Sequence, residues 1–441
     1  MKRFPLYLLL LTLLACGNKN EEVKPNDLVD TADTGQVKTL WVKKLDKTEK
    51  AFGYKLIPAT MNDQLYVATQ TGKVYALSAS TGATLWEVDL ATEISAGPGV
   101  GATILVVGGP EGQVMALDID TGSLLWQTNV TSEVLSPPVI DRNKVVIRTQ
   151  DGRIYGFSIQ NGQRDWSFDT NIPNLTLRGN STPIAKGGRV YVGFDNGKVA
   201  ALNIQDGSVL WQQNVINSQG KTEIDRIADI DGDIDVVATD LYISSAADKT
   251  MSVATESGRA LWSQNIGSVT GVTVSRRSLY LSDNQSVVHQ LNRTDGSRGW
   301  SQDQLLNRSL TKPSFYLGDV VVGDYQGYVH FLDGESGAIL NRTRVGDDYF
   351  FHAPVVVGDT IYVYNADGTF DTSFSSDGYL ISGNYFFDVI IQSDGKILVT
   401  SGGLHRYNSD GTEDSSFNNS WKQEYGDSKN VALQSDGKII T

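Results

Sequence analysis

Cysteine is nearly absent: Cys16 is the only one in 441 residues. An internal disulfide and a thiolate metal cluster are both excluded. Histidine is almost as scarce. His289, His330, His352 and His405 fall at unrelated positions of the repeat described below, so no metal or catalytic cluster emerges from them. Positive charge is also short, with 37 Lys and Arg against 51 Asp and Glu and a formal net charge of −14. Without a basic face to neutralise phosphates, nucleic acid is not an expected partner. The apolar run from Phe4 to Leu14 is too short to span a bilayer.

That run has another use. Lys2 and Arg3 precede it and Leu13-Leu14-Ala15-Cys16 ends it, the pattern of a secretory signal over residues 1–15. A cysteine at this place resembles the bacterial lipobox, in which the thiol is lipidated and becomes the first residue of the mature chain. Several acyl chains, at about 0.8 kcal/mol per buried methylene, would hold the protein on a membrane. Gly17 follows where an aspartate would signal inner-membrane retention, so delivery to the outer membrane is expected. Residues 16–36 then read as the lipidated cysteine and a polar, flexible tether.

What is plentiful is glycine, 44 residues, and a spaced set of tryptophans. "YALSASTGATLW" ends at Trp86, and related segments end at Trp126, Trp166, Trp211, Trp262 and Trp300, with Asn341 in the seventh. In each copy an apolar residue (Leu77 in the first) lies five before a glycine (Gly82), and the tryptophan lies four after it. The segment "GKVYALSA" alternates as a strand should, and "STG" or "DTG" supplies a turn in which glycine can take positive φ. With two further strands upstream of each hairpin, the unit is four strands in about 40 residues, the signature of a β-propeller blade. Seven hairpins, an unmatched early strand at Trp41 and a partial repeat from His352 predict eight blades over residues 37–367. The N-terminal strand would close the ring and remove its open edges.

Two adjacent connections are long. Trp166 to Trp211 spans 45 residues and Trp211 to Trp262 spans 51. Both follow the tryptophan strand, so both should leave the same face, where insertions in repeat proteins collect around binding sites. The first carries Leu175, Leu177 and Arg178; the second carries Glu223, Asp225, Arg226, Asp229 and Asp231. Two readings are open. The leucines fold back into the propeller beside solvated carboxylates, or they form an exposed apolar anchor with a charged rim.

"VKTLW", "LTLRGNSTP", "GSVLWQQNV", "TEIDRIADID", "GSVTG" and "VVVGDYQGYVHFLD", with the tryptophan repeats, resemble the BamB family over roughly four fifths of the chain. The resemblance implies an eight-bladed propeller lipoprotein of the outer-membrane β-barrel assembly machinery. Such a protein is a non-enzymatic scaffold that binds a periplasmic POTRA domain of BamA and assists nascent outer-membrane proteins. Carried over by position, the BamA-contacting residues would be Leu175, Leu177, Arg178, Asp229 and Asp231, with no cofactor. The repeat also resembles quinoprotein dehydrogenases, but no catalytic or metal set accompanies it here. "DIDGDID" spaces aspartates as calcium loops do, yet Ile234 and Asp240 stand where glycine and glutamate are wanted. The stretch "GDIDVVATDLYISSAADKTM" leaves the register of the fifth blade open.

After Asp367 the repeat changes. "YNADGTFDTSF" and "YNSDGTEDSSF", with "QSDGKI" twice, resemble a different bacterial propeller-like repeat of the delta-60 type. Fewer than two copies are present in residues 368–441. Because repeat units bury their apolar faces only against neighbours, local hairpins without a closed domain are expected there.

Overall fold

The computed structural model describes residues 24–29, 40–46, 53–173, 175–216, 228–345, 349–350, 352–358, 360–364, 388–391, 396–400, 404–408, 414, 416–417, 432–433 and 439–440. The chain divides into two compact units, one of residues 25–369 and one of residues 1–24 with 370–441. Every regular element described is a strand.

The first blade sets the pattern for the larger unit. Strands β1 (Ala59–Met61), β2 (Gln64–Ala68), β3 (Lys73–Ser78) and β4 (Thr84–Asp89) form an antiparallel meander in chain order. Six more four-stranded meanders follow at 96–129, 139–169, 184–214, 235–264, 272–302 and 314–344. Innermost strands of neighbouring blades stand side by side, Ala59–Met61 next to Ala96–Val100, and likewise from the second blade to the fourth and from the fifth to the seventh. In β3 the residues from Val74 to Leu77 are buried on both faces, although alternation alone would bury only one. Blades stack face to face, so the two middle strands of each lie between neighbours, while the outermost strands keep the in-and-out pattern.

The tryptophans and glycines are one device. Trp86 donates its indole N–H to the carbonyl of Ile119 on the next blade at 3.0 Å. Its ring covers Gly122, where a Cβ would come within 2.7 Å of it. Gly122 has φ 72°, so the glycine serves both the turn and the seat for the neighbouring ring. Trp126, Trp166, Trp211, Trp262 and Trp300 repeat the arrangement on the blades that follow them.

Trp41 takes the same seat on blade one. It donates to Ala79 O at 2.9 Å and covers Gly82. It also meets Tyr362 at 6.1 Å, the geometry of Tyr66 with Trp86. Val355–Val357 and Thr360–Tyr362 pair as two strands, and Tyr362 donates to Ala79 O. The Trp41 segment therefore bonds to blade one beside these two strands, as ring closure by the N-terminal strand requires. The third strand of such an eighth blade falls outside the described residues.

The fifth blade is regular: Asp235 faces Tyr242 and Val237 faces Asp240, so the altered sequence there is absorbed without a slip. Lys55, ahead of blade one, reaches Asp233, ahead of blade five, at 2.8 Å, and Lys312, ahead of blade seven, reaches it at 3.5 Å. Thr182 donates to the same carboxylate at 2.9 Å. Non-adjacent blades are thus tied through one half-buried carboxylate. Burial would raise its pKa, but Lys55 and Lys312 hold it well below the usual carboxylate range.

In the smaller unit Asp388–Ile391, Ile397–Thr400 and Leu404–Tyr407 form a three-stranded antiparallel sheet, and 432–433 pairs with 439–440. Asp414 binds Lys396 at 2.6 Å and Arg406 at 2.9 Å, which crosslinks the sheet to the following turn.

Candidate docking face

Each blade has two kinds of edge. The β2–β3 turn and the connection leaving β4 lie together, since Leu90 donates to Gly72 O at 2.9 Å. The β1–β2 and β3–β4 turns lie together at the other edge, where Ala79 donates to Asp63 O at 2.9 Å. Both long connections belong to the first kind and leave the same face.

The structure joins them directly. The backbone N–H of Leu177 donates to Asp229 Oδ2. The Leu177 carbonyl accepts from Gln150 Nε2 at 3.4 Å, and Asn180 donates to Gln150 Oε1. Leu175 and Leu177 are half-buried and Arg178 is exposed, which falls between the two readings of the sequence. Arg178 is nonetheless held. Its guanidinium pairs with Glu133 at 2.6 Å and lies over the Tyr54 ring at 5.6 Å. Tyr54 donates to Glu93 at 3.0 Å, and Gln70 donates to Glu93 at 2.8 Å. Burial, and then the hydrogen bond to Glu93, pushes the Tyr54 hydroxyl up to about 12.

An exposed acidic rim is not what Asp229 and Asp231 make. Asp229 is fully buried and Asp231 only 8% exposed. Between them Ile230 enters the core with Tyr191, Trp211 and Ile234, and this pulls both neighbours inward beneath the first loop. Asp231 lies under Gly179, its carboxyl carbon 3.7 Å from where a Cβ would stand. Asp195, paired with the buried Arg148, completes the acidic cluster. Arg148 also donates to Ser181 Oγ at 3.0 Å, in the strand-ward part of the same loop.

Burial, opposed by the Leu177 N–H, pushes the Asp229 carboxyl up to about 7. Burial and the neighbouring Asp229 and Asp195 raise Asp231 well above the usual carboxylate range. Neither oxygen of Asp231 nor the second oxygen of Asp229 has a hydrogen-bond partner. The pair supports the loop from below, and the surface is made by Leu175, Leu177 and Arg178. Glu223, Asp225 and Arg226 lie outside the described residues, as does Cys16.

The sequence reading missed Tyr54, Glu93, Glu133 and Gln150. Glu93 and Glu133 occupy equivalent places in successive connections, "ATEIS" and "TSEVL", a recurrence that blade alignment could have flagged. Nothing in the sequence marks Tyr54.

The aspartates of "DIDGDID" go to separate partners: Asp233 to Lys55, Lys312 and Thr182, and Asp235 to the Val274 N–H at 3.0 Å. Among the described residues no group of three or more His, Cys, Asp or Glu could hold a metal ion. His289 bonds Asp283 and Ser301, His330 bonds the buried Asp324, and His352 accepts from the Leu56 N–H at 3.1 Å. All three sit in packing or turn roles.

Fold and face together define a repeat propeller whose marked surface is a rim of loops. The model of the family described as "Outer membrane protein assembly factor BamB" matches residues 26–94 and 70–302. A relative of that name from Alkalilimnicola ehrlichii is 44% identical over 81% of this chain and 93% of its own length. One from Pseudomonas aeruginosa is 42% identical over 83% of this chain and 97% of its own. The crystal structure of BamB from Moraxella catarrhalis superposes with a TM-score of 0.67 at 28% identity, covering 71% of this chain and 94% of that one. The chain belongs to the BamB family. A europium-containing methanol dehydrogenase, 12% identical with a TM-score of 0.56, shares the fold alone. Residues 392–417 match a separate family described as a β-propeller domain of unknown function (DUF5122), in keeping with the change of repeat after Asp367.

Proposed function

We propose that the chain is a non-enzymatic scaffold of the outer-membrane β-barrel assembly machinery, held in the outer membrane by lipid on Cys16. It docks through the Leu175–Arg178 face on a periplasmic POTRA domain of BamA and assists folding and insertion of nascent outer-membrane proteins. The observation that carries this reading is the Leu177–Asp229 bond, which fixes two adjacent insertions as one surface. A held, exposed guanidinium beside half-buried leucines suits a partner that offers a carboxylate and an apolar patch. Reversing Arg178 to glutamate or Leu175 to aspartate is expected to abolish co-purification of BamA from native membranes while the melting temperature holds. Retained binding in folded variants places the docking site elsewhere.

A further inference from the structure

Part of the expected tether is not free. Asn26 donates from its backbone to Leu306 O at 3.0 Å and from its side chain to Asp303 O at 3.2 Å. Arg308 returns a bond to Asn26 O at 3.0 Å, and Arg342 donates to Val29 O at 3.0 Å. Leu28 packs against the cluster containing Leu305, Leu310 and Val320. Arg308 is itself only 2% exposed and is oriented by Asp324 at 2.7 Å. The receiving groove is therefore built on a buried, ion-paired guanidinium.

The groove lies on the connection from blade six to blade seven. That connection leaves the outermost strand of its blade, as the Leu175–Arg178 loop does, so strap and loop share one face. We infer that residues 25–29 act as a strap that turns the Leu177 face of the propeller toward the membrane carrying Cys16. This rests on the reading of Cys16 as the lipid anchor. Ten residues separate Cys16 from Asn26, a reach of at most about 35 Å. Without the strap, the next described residue held to the propeller is Trp41, 25 residues from Cys16 and on the opposite face. The leash would then reach about 85 Å, enough to let either face approach.

The test uses the full-length lipidated protein in liposomes that contain a headgroup quencher. Lipidation consumes the thiol of Cys16, so a cysteine placed at Glu111 (the Leu177 face) or at Thr81 (the other face) is uniquely labelled. Stronger quenching at 111 than at 81 is expected, together with loss of that difference in Asn26→Gly/Leu28→Asp. A flexible insert of about twenty glycines and serines after Gly17 leaves the propeller untouched and should also erase the difference. Equal quenching in the unaltered protein, or a difference that survives both changes, overturns the strap. Failure to float with liposomes overturns the anchor itself, and the strap proposal with it, and is scored separately from the quenching.

Discussion

Asp229 separates two ways in which a carboxylate can matter to docking. If it supports the Leu177 backbone from below, an acceptor is all that is needed, and Asp229→Asn should keep it. Asp229→Ala removes the acceptor and leaves the Leu177 N–H without its partner, a loss of about 1–3 kcal/mol concentrated in the loop. The charge itself is a burden to the fold. With the carboxyl pushed up from 3.8 to about 7, the linkage amounts to roughly 4 kcal/mol as an upper figure. The folded pKa is raised, so the stability it contributes is fully present below about pH 4 and is lost as pH rises through about 7. Urea unfolding at pH 5 and pH 8, with capture of BamA at each pH, reads both effects. The Asn variant should bind BamA as the unaltered protein does and lose less stability between the two pH values. The Ala variant should bind weakly. If Asn abolishes binding as fully as Ala, Asp229 contacts the partner through its charge and the support role is wrong.

Three further outcomes are expected. Arg178→Glu meets Glu133 and leaves Tyr54 uncovered; it should abolish BamA co-purification while shifting stability by less than about 1 kcal/mol, because the broken pair is exposed. Trp41→Ala vacates the seat over Gly82 at the ring closure and should cost roughly 2–4 kcal/mol, seen as a lower melting temperature and faster proteolysis near residue 40. Lys55→Met leaves Asp233 with the longer Lys312 contact and the Thr182 bond and should cost about 1–3 kcal/mol, much of it recovered by Lys55→Met/Asp233→Leu. If the double variant is no more stable than the single one, the tie between blades is not electrostatic.

The propeller was legible because its two most periodic residues touch each other. A tryptophan covers the glycine of the next blade, so both recur at the blade period and register together in the sequence. Trp41 stood out as an unmatched strand ahead of the first hairpin, and the structure gives it the same seat, over Gly82. The common face of the two insertions was legible too, since chain order alone dictates which edge a connection leaves. The depth of the residues on it was not. "ADIDGDID" looks solvated, and only Ile230, wedged among Trp211, Tyr191 and Ile234, shows why Asp229 and Asp231 lie beneath the loop. Tyr54, Glu93, Glu133 and Gln150 come from four separate parts of the chain, and their convergence on Arg178 and Leu177 depends on ring curvature that no local pattern encodes. The strap was hidden for a similar reason. Pro25 to Val29 lies within a polar stretch, and its groove is supplied by residues 282 and 313 positions away.

Docking of the partner on the face that carries Leu175 to Arg178 is open to direct test. A photo-crosslinking residue placed at Thr176 and, separately, at Thr81 on the opposite face tests it in intact cells. A covalent adduct with BamA from position 176 and none from 81 is the predicted result; an adduct from 81 alone, or from neither, contradicts it.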